Sequence, residues 1–163
     1  MAKREHEIKE QLLARLEQIP DLFVLEPQQH NRLGYISFYI NNLHHNLIVR
    51  LLNDRFGIQT RGGCSCAGTY GHILFNIDYH ESERITHLIN EGDLSKKPGW
   101  VRVSLHPTMT NAEVDRIVSA ISEIIEKHEE LGMAYTFDPQ SGDFVPKAKE
   151  TFRIDLNETF QAY

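Results

Sequence analysis

Both cysteines of this 163-residue chain fall in one stretch, Gly57-Ile58-Gln59-Thr60-Arg61-Gly62-Gly63-Cys64-Ser65-Cys66-Ala67-Gly68-Thr69-Tyr70-Gly71-His72. A thiol attacks only as its thiolate, and nearby positive charge favours that form. Arg61 can supply such charge to Cys66, and a histidine is within reach. Gly57, Gly62 and Gly63 let the backbone take positive φ or come close to a ligand, although a tight surface turn uses glycine in the same way. A cysteine taken singly is most often a small buried hydrophobe, but two thiols in a polar, glycine-rich segment are less core-like.

Two other groups of residues carry chemistry. Cys64, Cys66 and His72, with His80 or His106 as a fourth ligand, could make a zinc site of soft thiolates and imidazole. The Cys-x-Cys pair lacks the second cysteine pair of the stronger zinc patterns, so no metal ligand is assigned. Arg102 lies in Trp100-Val101-Arg102-Val103-Ser104-Leu105, where Val101, Val103 and Leu105 alternate inward and leave Trp100, Arg102 and Ser104 on the opposite face. A guanidinium so placed can grip a carboxylate through two parallel hydrogen bonds, or pair with a surface acid.

Composition bounds the setting. The chain has the length of one domain, with 40% hydrophobic and 25% charged residues, which fits a globular fold with its own core. The net charge of −6 argues against a nucleic-acid partner. No apolar run is long enough to cross a bilayer or to form a signal peptide, so no membrane partner is expected. Cysteines one residue apart point away from each other, so two reduced thiols in the cytoplasm are expected.

The elements that must position these residues follow from periodicity. Ile8, Leu12, Leu13, Leu16 and Ile19 predict a helix from Ala2 to Gln18, closed by Pro20. No capping residue precedes Lys3-Arg4-Glu5, as expected if the chain begins inside a longer helix. Tyr35 to Ile40 alternates as a half-buried strand, with Ile36, Phe38 and Ile40 on one face and Tyr35, Ser37 and Tyr39 on the other. Asn41-Asn42 is read as the N-cap of a helix that carries Leu47, Ile48, Leu51, Leu52 and Phe56 and stops at Gly57. Ile58 to Thr60 fits a brief strand, Tyr70 to Tyr79 shows no sustained period, and Glu81 to Asn90 suits a short helix. Thr110-x-x-Glu113 is a capping box, followed by an amphipathic helix to about Glu130 with Val114, Ile117, Val118, Ile121 and Ile125. Tyr135 to Phe137 and Asp143 to Val145 can pair around a turn at Pro139 to Gly142. The expected architecture is α+β: a small, mainly antiparallel sheet with helices packed on one face. Residues 1–146 are read as one domain and 147–163 as a tail without assigned structure.

The blocks Gly57–Ala67 and Gly99-Trp100-Val101-Arg102-Val103-Ser104-Leu105, with the helix start Thr110–Ile117, resemble the C-terminal small domain of class V aminotransferases. The nearest branch is the cysteine desulfurase and selenocysteine lyase type, and the likeness runs from about residue 5 to 128. It implies that Arg102 binds the α-carboxylate of an amino-acid substrate and that Arg61 lines the same active site. It further implies that Cys66, ahead of Ala67, is the thiol that takes the substrate sulfur as a persulfide. Enzymes of this family bind pyridoxal phosphate through a Schiff-base lysine in a large domain that precedes the small one, and a homodimer is expected of the full enzyme. None of Lys3, Lys9, Lys96, Lys97, Lys127, Lys147 and Lys149 lies in a segment resembling that lysine motif. The chain is therefore expected to be a C-terminal domain that binds no cofactor and is inactive alone. Desulfurase, aminotransferase and lyase chemistry all stay open, and the alternative is a non-enzymatic thiol, sulfur-relay or zinc-binding module on the same fold.

Overall fold

The computed structural model describes residues 2–63 and 68–148. Cys64, Ser65, Cys66 and Ala67, and the tail beyond Ala148, lie outside the described residues. The chain runs α1 (Ala2–Leu16), β1 (Leu22–Val24), β2 (Tyr35–Ile40), α2 (His45–Phe56), β3 (Arg61–Gly63), α3 (Gly68–Leu74) and α4 (Tyr79–Asn90). It continues through β4 (Trp100–Ser104), α5 (Asn111–Gly132), β5 (Tyr135–Asp138) and β6 (Asp143–Pro146). β1, β2, β4 and β3 form an antiparallel sheet in that order, and β5 and β6 form a separate hairpin. The α+β architecture with a small antiparallel sheet is as expected.

Register explains the core. β2 and β4 pair with Ile36 opposite Val103 and Phe38 opposite Val101, so the apolar residues of both strands share one face. Three helices cover that face. α1 brings Ile8, Leu12, Leu13 and Leu16, α2 brings Leu47, Ile48, Leu51 and Leu52, and α5 brings Val114, Ile117, Val118 and Ile121. Phe38 is fully buried at the centre, and burying such a side chain contributes roughly 2 kcal/mol.

Several local expectations hold and several shift. Gly57 takes the left-handed conformation at φ 66° and closes α2. The capping box of Thr110 and Glu113 is formed in both directions. α5 continues to Gly132, and Ile124 is fully buried while Ile125 is only partly so. α2 is capped not by Asn41-Asn42 but by His44, whose side chain accepts from the Asn46 N–H. Asn42 has instead a positive φ of 58°, turning the chain between β2 and α2. The brief strand falls at Arg61–Gly63 rather than 58–60, because that is where the chain finds β4 to pair with. The segment without period contains α3, and α4 begins at Tyr79, capped by Asp78, two residues earlier than expected.

The loop between β1 and β2 is stapled from within. The Arg32 guanidinium donates to the carbonyls of Gln29, Leu25 and Glu26, and Glu26 sits at φ 51°. Lys9, buried on α1, donates to the His30 carbonyl and pairs with Glu10 at 3.1 Å. A buried ammonium needs such acceptors, and meeting that need anchors the loop to the helix layer.

Candidate functional site

The face of the sheet turned away from α1, α2 and α5 carries the candidate chemistry. Arg102 lies in the middle of β4, directly opposite Ser37 on β2 and Arg61 on β3. Direct cross-strand partners project to the same side of a sheet, so Arg61 and Arg102 stand side by side. Like charges so placed repel, and an anion between or above them removes the repulsion. Among the described residues the arginine ion pairs belong to Arg4, Arg15, Arg50 and Arg84, leaving Arg61 and Arg102 without a carboxylate.

The Arg102 guanidinium lies over the Tyr35 ring, 5.8 Å from its centroid. That contact places the cation over the face of the ring, where the two attract each other electrostatically. Its Nε is buried without a hydrogen-bond partner. A buried charged donor left unmet is costly, and a ligand carboxylate is a chemically matched partner for it.

Arg102 forms one end of a groove of about 370 Å³. Tyr35, Ser37 and Trp100 line its floor, and Leu74 and Tyr70 of α3 form one wall. The stapled loop provides the opposite wall, joined to α3 by the Tyr70 hydroxyl, which donates to Glu26 at 3.4 Å. Beside the groove, Phe23 stacks on Tyr39 at 5.1 Å, Phe75 meets Tyr39 at 4.8 Å and approaches Trp100 at 6.2 Å. This aromatic row seats the end of α3 on the sheet and explains why Trp100 is buried although it points away from the core.

Arg61 and Arg102 are thus brought together, while Cys66 and Cys64 lie outside the described residues. The described chain leaves β3 at Gly63, opposite Trp100, and resumes at Gly68 with α3. Of the residues weighed for zinc, His72 Nδ1 lies 2.7 Å from Ser82 Oγ and His106 Nδ1 lies 2.8 Å from Thr108 Oγ1. Among the described residues no three His, Cys, Asp or Glu side chains are grouped to hold a metal.

Tyr35, Ser37, Tyr70 and the Glu26–Arg32 loop were not among the sequence candidates. The signal for Tyr35 and Ser37 was present in the alternation, which puts them on the outward face of β2, but their pairing with β4 was not legible. His45, at the start of α2, is a buried histidine. It is 7% exposed, its ring stacks on His44 at 4.4 Å, and burial, then the His44 ring and Lys97, lower its pKa to about 4. A Cβ at Gly99 would lie 2.5 Å from its ring, so only glycine lets α2 press this closely on the entry to β4.

Pyridoxal phosphate needs an amine for its aldehyde and donors for its phosphate. No lysine lines the groove, and its free cation, Arg102, suits a carboxylate. The described residues of this groove do not fit a cofactor-holding site.

The family described as "Aminotransferase class-V" matches residues 1–117. Cysteine desulfurases from Escherichia coli strain K12 / DH10B and from Escherichia fergusonii are each 31% identical over 132 residues, covering 81% of this chain and 26% of the relative. The chain therefore spans about a quarter of the length of these curated relatives. Among solved structures, the cysteine desulfurase CsdA from Escherichia coli matches at a TM-score of 0.48 with 18% identity, over 76% of this chain and 25% of that one. No helix among the described residues is long and apolar enough to cross a membrane. By the family match over most of its length, the chain belongs to the class-V aminotransferases.

Proposed function

We propose that residues 1–146 are the substrate-carboxylate-binding domain of a pyridoxal-phosphate enzyme of the cysteine desulfurase type. In this reading Arg102 holds the α-carboxylate of an amino-acid substrate, and Arg61 adds a second positive group beside it. Cys66 is the thiol offered to the substrate. The cofactor and its lysine belong to a large domain, joined to this one in a full enzyme that is a homodimer, and the chain alone is inactive.

The observation that carries the reading is the unpaired Arg102 guanidinium, placed over Tyr35 with its Nε unmet and Arg61 directly across the ladder. Binding at Arg102 fixes one end of an amino acid through a planar, two-point contact, which sets the direction of the bonds at its α-carbon. Tyr35 offers the guanidinium an aromatic face, and Ser37 offers a hydroxyl beside it.

Nuclear magnetic resonance of the chain titrated with L-alanine and with L-alaninamide tests this. Shifts at Arg102, Tyr35, Ser37 and Arg61 are expected with the acid and not with the amide, and are lost in Arg102→Ala. Equal shifts with both ligands would reject carboxylate recognition.

A further inference from the structure

On the helix side of the same sheet, a second cavity of about 170 Å³ opens where α2 begins. His44, His45, Gly62, Gly63 and Lys97 line it, with the β5–β6 turn at Ser141 and Gly142 closing one side. It is separate from the Arg102 groove and shares none of its lining residues.

Three nitrogen-bearing side chains line it. His45 is more than nine-tenths buried, and neither ring nitrogen has a hydrogen-bond partner among the described residues. The half-buried His44 ring has the Leu94 backbone as its hydrogen-bonding neighbour. Among the described residues the lysine ion pairs are those of Lys9 and Lys127, and half-buried Lys97 has none. The first turn of α2 contains no acidic residue, and the His44 side chain caps one of its amides by accepting from the Asn46 N–H.

Neighbouring polar groups are already engaged. The Ser141 hydroxyl donates to Asp138, and Asn46 Nδ2 donates to the Gly142 carbonyl. Burial lowers the His44 pKa, opposed by the Leu94 backbone and by the Asp143 carboxylate, which is not among the residues lining the cavity. The walls are closely packed at Gly62, where a Cβ would come within 2.8 Å of Asn46 Oδ1 and 3.2 Å of the His45 ring.

We propose that this cavity binds a small oxyanion, held by the Lys97 ammonium, a His45 ring N–H and the amino-terminal end of α2. An ammonium supplies charge without fixed direction, the neutral imidazole supplies one directed N–H, and the helix end adds its dipole. The remaining His45 nitrogen is free to accept from a protonated oxygen of the same ligand.

The test is a titration of the chain with inorganic phosphate at constant ionic strength, following the histidine rings and backbone amides by nuclear magnetic resonance. The expected result is saturable movement of the His45 ring and of the Gly62 and Gly63 amides. Lys97→Met, at a half-exposed position that does not contribute to the core, is expected to weaken binding about tenfold or more. Acetate serves as the second probe: a response to both anions supports a general oxyanion site, and a response to phosphate alone supports a tetrahedral one. Movement reproduced by sodium chloride, unchanged affinity in Lys97→Met, or shifts centred on Tyr35 and Arg102 would each overturn the proposal.

Discussion

The two faces of the β2–β4 pair are built from alternate residues of the same strands, yet they do opposite things. On one, Ile36, Phe38, Val101 and Val103 are sealed beneath three helices and have no unmet polar group to offer. On the other, Tyr35, Ser37 and Arg102 stand beside Arg61, with a charged donor lacking a partner. Under the proposed function, stability and recognition are separated by the pleat of the sheet: each residue on a strand serves one and its neighbour the other. A one-residue slip would exchange the faces, so the tight packing of the core also fixes where the guanidinium points.

That separation makes graded predictions. Phe38→Ala empties a fully buried position under the helices and is expected to cost about 3–5 kcal/mol in a urea unfolding experiment. A loss below about 1 kcal/mol would show that the helix-covered face is not the stabilising one.

His45 tests the boundary between burial and charge. Its pKa is about 4 folded against 6.5 when unperturbed, so the unfolded chain binds the extra proton in between. Its contribution is fully present above pH 6.5 and is lost as pH falls through 4, on the order of 3 kcal/mol. Unfolding at several pH values should show that slope flattened in His45→Gln relative to the unsubstituted protein. An equal slope in the two proteins would mean that the buried ring does not set it.

Thr110→Ala removes one half of the capping box that starts α5 and should cost about 1 kcal/mol, visible as a lower thermal midpoint. Arg102→Ala, on the open face, should change stability by less than about 0.5 kcal/mol while abolishing carboxylate-dependent shifts. A large loss of stability there would mean that Arg102 is structural after all.

How far the sequence revealed this depends on how local each cause is. The alternation of β2 and β4, the capping box of Thr110 and the left-handed Gly57 need only a few neighbouring residues, and all were legible. α3 was not, because Gly68 and Gly71 are poor helix formers and its end is seated by Phe75 against Tyr39 and Trp100, residues distant in the chain. β3 was displaced by three residues for the same reason: its register belongs to β4 rather than to its own side chains. Arg102 was identifiable as outward-facing, but Tyr35 beneath it and Arg61 across from it depend on pairing that no single segment contains. The histidine cap of α2 was missed because asparagine is the commoner capping residue and two asparagines stood nearby.

The join between β3 and β4 has a consequence for how this domain can vary. The two strands are adjacent on the ladder, but all of α3 and α4 lies between them in the chain. Closing a flexible loop costs only about 0.6 kcal/mol more for each doubling of its length. Residues inserted after α3, away from the seat of Phe75 on the sheet, would lengthen that excursion while leaving Arg61 and Arg102 in register. The chain thus has a place where an added lobe costs little, next to a pair of charges that cannot move apart.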